Sequence, residues 1–383
     1  MIKVLDQIPP KLRYPRPMDI VVTHMSALGL LRLPTFADVL ATASPLPLRV
    51  PTALPDAAEL TEKAQALADL GLAASPLELM VSDPSSRTRT RTEAVLTHTQ
   101  QERLPPSSFI RVADGIWVVS PELLCAQLAT RLTRMELLVL MGELLGTYSV
   151  TAEGMFSRRT PLMTRDSLER HLVALGVFHG VRVVKDALAS APVNSASPME
   201  TRLFLRVSLP YRFGGYALPV EALNEPLEVG RIGEPGAMGE RRPDIKLLPK
   251  EGVTAPYAFV ALEYDGEGHL TRARQAADQR RSNEILAFGG REYHVNKELY
   301  DSLPYMDDLM GKVAADLGRA PCRVTHSVRE KRRRLRDELK RELDLIDCVT
   351  WDGRARAKAA GKRRASSAES AADDRVPLDA YWF

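Results

Sequence analysis

Two stretches carry the residue types best suited to chemistry. One is Arg241-Arg242-Pro243-Asp244-Ile245-Lys246-Leu247-Leu248; the other runs from Tyr257 through Glu263-Tyr264-Asp265-Gly266-Glu267-Gly268 to His269. Both read as strands, and the short link between them holds Pro249, Gly252 and Pro256, so an antiparallel hairpin is expected. Alternate residues of a strand share a face, which sets Asp244 with Lys246 and Glu263 with Asp265. With the register aligned, three carboxylates and an amine converge on one spot. Such a cluster is costly unless a cation offsets the repulsion. Carboxylate oxygens suit Mg²⁺ or Mn²⁺, ions that keep several waters and bind phosphates. A metal so held activates water and steadies the leaving oxygen in phosphodiester hydrolysis. A neighbouring lysine would position that water and stabilise charge in the transition state.

The pattern resembles P-D-(x)n-(D/E)-x-K, the signature of restriction-endonuclease-like nucleases. Pro243-Asp244 matches its first element and Glu263 the acidic residue of its second. That resemblance implies a further glutamate on the preceding helix, for which Glu200 is the candidate. Asp244, Glu263-Tyr264-Asp265-Gly266, His269, Asp278-Gln279-Arg280-Arg281, Leu286 and Gly289 are more closely similar to a branch related to the very-short-patch repair endonucleases. The span 112–294, through VVSPELLCAQLA, MGELLGTY and SASPMETRLFL, also resembles actinobacterial proteins distantly similar to AbiEi-type abortive-infection antitoxins.

The family's lysine falls on Asp265 here, as is usual in the branch with E-x-D-G. Lys246 lies on the right strand face to substitute, and His269 is the alternative base, as the branch's histidine implies. The resemblance thus implies Asp244 and Glu263, with Glu200 or Asp265, as ligands of Mg²⁺ or Mn²⁺, and Arg281 against a phosphate. Each residue also has a plain structural role. Asp265-Gly266 is a turn signal, Arg281 is a partner for Glu263, and Asp278 and Arg281 form an i,i+3 pair.

These residues need elements to hold them. Ser197-Pro198-Met199-Glu200 is a strong helix start, and the helix runs towards Pro210. Upstream, LELMV (77–81), EAVLTH (93–98), SFIRV (108–112) and IWVVS (116–120) read as strands, the last two joined by a turn at Ala113-Asp114-Gly115. Residues 120–148 are helical with a break near Thr133, and helices follow over 164–176 and 181–190. Met18 to Leu33 is expected as a short apolar helix, and a second helix ends at Gly71. The Arg87-Thr88-Arg89-Thr90-Arg91-Thr92 run suits a solvated edge strand better than a phosphate grip. The fold expected is α/β: a restriction-endonuclease-like core, a mixed sheet flanked by helices, at 193–322, preceded by a mixed helical and β-hairpin region at 1–192.

The charge distribution adds a third part at 323–383. The net charge is only +3, yet Arg323 to Arg364 holds 15 Lys/Arg against 7 Asp/Glu. Blocky charge speaks of partners rather than fold. Within it, Leu335, Leu339, Leu343 and Ile346 form an apolar helical stripe, for packing on the body or on a second copy. Arg332, Arg333 and Arg334 lie on the basic face, available to nucleic-acid phosphates. Residues 354–374 read as low-complexity and disordered, and Tyr381-Trp382-Phe383 is an unusually apolar end.

Three scattered cysteines and no run of ~20 apolar residues argue against a disulfide scaffold, a zinc ribbon and a membrane span, and favour a reducing cytoplasm. Cys125, among apolar helical positions, reads as core. The remaining histidines, His294 among them, form no ligand spacing. The function expected is a metal-dependent DNA endonuclease or nickase. The alternative is a non-catalytic DNA-binding regulator or AbiEi-like antitoxin, with a toxin or a second copy as partner.

Overall fold

The computed structural model describes residues 19–43, 49–72, 74, 76–86, 94–266, 272–320 and 323–358. The arginine-threonine run at 87–92, His269, Cys322 and the terminal Tyr381-Trp382-Phe383 lie outside the described residues.

The first half opens with strand β1 (Ile20–Val22) and helices α1 (His24–Leu31), α2 (Phe36–Thr42) and α3 (Ala57–Asp69). Strands β2 (Leu77–Val81), β3 (Val95–Thr99), β4 (Phe109–Ala113) and β5 (Ile116–Val119) complete a five-stranded sheet of order β3-β2-β1-β5-β4. The single helix expected over Met18 to Leu33 is therefore corrected. Its β-branched Ile20-Val21-Val22 is a central strand buried on both faces, where a continuous apolar run replaces alternation.

Helices α4 (Pro121–Leu128) and α5 (Arg134–Leu144) follow. They are separate because Thr133 caps α5: its hydroxyl accepts from Glu136 N at 3.2 Å, and Glu136 accepts from Thr133 N at 2.9 Å. The hairpin β6 (Tyr148–Val150) and β7 (Phe156–Arg158), with helices α6 (Arg165–Leu175) and α7 (Val181–Leu188), closes this half.

Helix α8 (Pro198–Ser208) begins where the capping signal places it, with Ser197 Oγ accepting from Glu200 N at 3.2 Å. The second half continues through β8 (Val220–Ala222), β9 (Leu227–Gly230), β10 (Met238–Arg241), β11 (Ile245–Leu247), β12 (Phe259–Asp265), α9 (Arg272–Ala287) and β13 (Gly290–Asn296). Strands β9 and β10 form their own hairpin; the others make a mixed sheet of order β13-β12-β11-β8. Strands β11 and β12 pair antiparallel as expected. Strands β12 and β13 run parallel, which demands a crossover, and α9 supplies it. Helices α10 (Lys297–Asp301), α11 (Leu303–Asp316) and α12 (His326–Leu345) follow.

There are two main apolar cores. The first fills the space between the five-stranded sheet and α1, α4, α5, α6 and α7. The second joins Leu203 and Val207 of α8 to Ile245, Leu247, Val260, Leu262, Val295, Met306, Met310 and Val313. Leu205 and Leu209 belong to the first core, so α8 is buried between the two.

The basic helix is part of this body rather than a third unit. Leu339, Leu343 and Ile346 are buried in the first core, so the apolar stripe packs intramolecularly. Gly214, at φ +79, lies so close to Leu335 that a Cβ would fall 2.2 Å from the Leu335 carbonyl oxygen. The chain beyond is anchored too. Trp351 is buried, Arg354 donates to the Leu132 and Thr130 carbonyls at 2.8 and 2.7 Å, and Arg356 meets Glu136 at 3.0 Å. Residues 354–358, the start of the segment expected to be disordered, are thus ordered. Its arginines end on helix-terminal carbonyls and a carboxylate, which composition alone does not reveal.

Leu343→Ala should lower unfolding stability by about 2–5 kcal/mol through cavity formation, whereas Leu345→Ala, exposed on the same turn, should change it by less than about 0.5 kcal/mol. Urea unfolding of the full chain checks both, and a neutral Leu343→Ala would detach the helix from the core.

Candidate functional site

The β11–β12 register sets Ile245 opposite Leu262, so the next pair along is Asp244 and Glu263. Directly opposed residues of an antiparallel pair face the same side about 5 Å apart. The β12–β13 register continues the row, with Ala261 beside Glu292 and Glu263 beside His294. Asp244, Glu263, Asp265, Glu292 and His294 therefore share one sheet face, beneath α9.

The carboxylates differ sharply in environment. Asp244 accepts from Tyr264 N at 2.7 Å, but burial, and then the nearby charge of Glu200, push its pKa up to about 7. Glu263 is 7% exposed; burial, and then Asp244 itself, push it up to about 8. Arg281 of α9 meets Glu263 at 2.9 Å and works against that rise without cancelling it. Glu292 is only half-buried, and hydrogen bonds from His294 and Ser282 outweigh desolvation and hold its carboxyl below the usual range. His294 sits 3.1 Å from Asp265 and 3.3 Å from Glu292, and these hydrogen bonds push its pKa up to about 10. It is a fixed cation at neutral pH rather than a base.

Behind Glu263 lies a second, sequestered pair. Glu284 is fully buried against Arg241, and Arg231 stands 3.9 Å away. Glu200, on the first turn of α8, turns one oxygen to Ala196 N and Asn224 Nδ2, both at 2.8 Å, and acts on Asp244 through space.

Asp244 and Glu263 stand on the floor of a cleft of about 860 Å³. Its walls come from both halves of the chain. Arg158, Arg159 and Thr160 come from the first half, and Arg241, Arg242 and Arg281 from the second.

The sequence-predicted residues separate accordingly. Asp244, Glu263 and Arg281 meet; Asp265 is drawn aside to His294; Glu200 approaches through its charge. Lys246 shares the face of Asp244 but does not line the cleft, so the expected amine is not part of it. Among the described residues no group of three or more His, Cys, Asp or Glu side chains is arranged to cage a metal ion. Two facing carboxylates nonetheless fit Mg²⁺, which is commonly held by one or two carboxylates plus substrate phosphates.

The basic face of α12 also divides. Arg333 and Arg334 are exposed, but Arg332 lies 3.8 Å over the Tyr211 ring, against the body. Arg332 is therefore corrected from the free phosphate-binding set, because helical spacing turns it inward beside Arg336, which pairs with Asp307 at 2.7 Å.

Sequence reasoning missed Glu292, His294 and Arg158. The alternation Glu292-Tyr293-His294 in a strand after a helix was the available signal for the first two. Arg158 carried none. Comparison with known proteins adds no relative: no family model, no curated protein and no solved structure matches the chain.

The raised carboxyls set a pH dependence. In the folded protein Asp244 and Glu263 retain protons that the unfolded chain releases near pH 4, so stability in EDTA falls as pH rises from there towards 7 and 8. Asp244→Asn keeps an acceptor for Tyr264 N and removes one charge. Its melting temperature should gain on wild type by about 2–4 °C between pH 5 and 8. Parallel melting curves across that range would show that the two carboxylates do not repel each other.

Proposed function

We propose that this protein is a metal-dependent phosphodiesterase acting on nucleic acid, of the restriction-endonuclease-like kind. The observation that carries the reading is the adjacent pair of half-buried Asp244 and buried Glu263, lining one cleft with five arginines. A mixed sheet flanked by helices, with Glu200 on the helix that precedes it, supports the same reading.

Asp244 and Glu263 would hold Mg²⁺ or Mn²⁺, which when bound lowers the pKa of water and neutralises developing phosphate charge. Their pKa values of about 7 and 8 mean that protons must leave for both oxygens to become good ligands, so metal affinity should climb through neutral pH. Arg281 is the nearest cation to the pair, and its guanidinium suits a non-bridging phosphate oxygen. His294 keeps Asp265 and Glu292 engaged.

A second reading draws on the same site. Lys246 stands off the cleft, Asp265 occupies the family's lysine position, and Arg281 is already paired with Glu263. An inherited but inactive fold that binds DNA as a regulator or antitoxin would have these features.

Cleavage of supercoiled plasmid and of single strands, with Mg²⁺ or Mn²⁺, separates the two. A nuclease should nick, and Asp244→Ala and Glu263→Ala, checked for folding, should each lose at least about 100-fold in rate. No cleavage by wild type, with binding that persists unchanged in EDTA, overturns the enzyme reading in favour of the regulator.

A further inference from the structure

The cleft is built from two regions that a nuclease site on one sheet does not require. Its far wall is the end of the β6–β7 hairpin, and Thr147, Arg158, Arg159 and Thr160 line it. Arg159 is committed to structure, donating to the Leu31 and Glu143 carbonyls at 2.9 and 3.1 Å. Arg158, the next residue back, is exposed and makes no ion pair among the described residues. Across the cleft, Arg242 is exposed beside Glu240, and Arg281 lies at the floor.

Two features of the space define what fits. Its volume corresponds to a sphere roughly 12 Å across, room for a short stretch of one strand. A space of that size matches one sugar-phosphate strand better than a paired duplex. Among the described residues the lining contains no aromatic side chain; beside the carboxylates Glu225, Glu240, Asp244 and Glu263, its polar members are arginines, threonines and the asparagines Asn194 and Asn224. Bases are gripped by stacking; guanidinium and amide groups grip phosphates and sugars. The acidic members Glu225 and Glu240 also line the cleft and disfavour a second layer of phosphate.

We propose that the cleft takes a single-stranded polynucleotide by its backbone, with little regard for sequence, and that Arg158 is a positioning residue holding the strand against the N-terminal wall. This rests on the phosphodiesterase reading for its catalytic meaning, but the binding site stands or falls separately. The first half of the chain is then one side of the substrate channel.

The test is fluorescence anisotropy in EDTA, with full-length protein and labelled oligonucleotides of one non-pairing sequence: single-stranded DNA, single-stranded RNA and the DNA duplex. Single strands should bind at least about tenfold more tightly than duplex, with affinity falling as salt rises. Arg158→Glu should weaken that binding about tenfold with an unchanged melting temperature. Arg182→Glu, exposed on α7 and outside the cleft, should alter it less than twofold. The DNA and RNA arms decide which sugar is preferred. Duplex binding as tight as single-strand binding, or an Arg158→Glu protein that binds like wild type, overturns the proposal. Because binding is read in EDTA, absent cleavage with intact Arg158-dependent binding would count against the enzyme reading alone.

Discussion

Asp244 stands one residue before the β11–β12 pairing and its carboxylate is tied to Tyr264 N, which sets it beside Glu263, and most of the site answers to that constraint. Two carboxylates out of water and side by side resist ionising together. The strand register leaves neither free to swing away: Asp244 is tied to Tyr264 N and Glu263 lies under α9. Arg281 meets the nearer carboxylate and Tyr264 N the other, without bringing either pKa back to its ordinary range. A buried charge pair with an unfilled demand for positive charge is a poor stability device. On the proposed reading, a divalent ion with a phosphate meets that demand.

The neighbouring charges are arranged so that this demand stays local. His294 is kept cationic by Asp265 and Glu292, and Arg241 neutralises Glu284, so the other acids near the face have their own partners. Asp265, which sequence alternation places with Glu263, is thereby diverted to the strand end. The same parity rule that puts six titratable residues, Lys246 among them, on one face says nothing about which of them pair. Side-chain reach and the position of α9 decide that.

Helix α8 sets the relation between the site and the rest of the chain. Its successive apolar residues face different cores, and Arg206, almost fully buried, donates to the Tyr300 carbonyl and lies over the Tyr300 ring. Its first turn carries Glu200 to within electrostatic reach of Asp244. Helix α12 and the segment to Arg356 then return across α8 to α5. The two halves are consequently locked where the β6–β7 hairpin overlooks the carboxylates, and an arginine-bearing cleft lies between them.

Much of this was legible in the amino-acid order. Local signals located the Thr133 break, the Ser197 cap, the β4–β5 turn and the strands carrying Asp244 and Glu263, because capping, turn chemistry and period-two alternation act over a few residues. The apolar stripe of α12 was visible for the same reason. The strand at Ile20–Val22 was not, since a strand buried on both faces loses the alternation that would distinguish it from a short helix. Nor could sequence separate Lys246 from the cleft, turn Arg332 onto Tyr211, or bring Arg158 towards Asp244 from 86 positions away. The sequence by itself determined which residues could share a strand face and where helices begin. Only the tertiary structure decided which charges are buried, which are already paired and which line a common space, because those properties depend on the packing of distant elements around them.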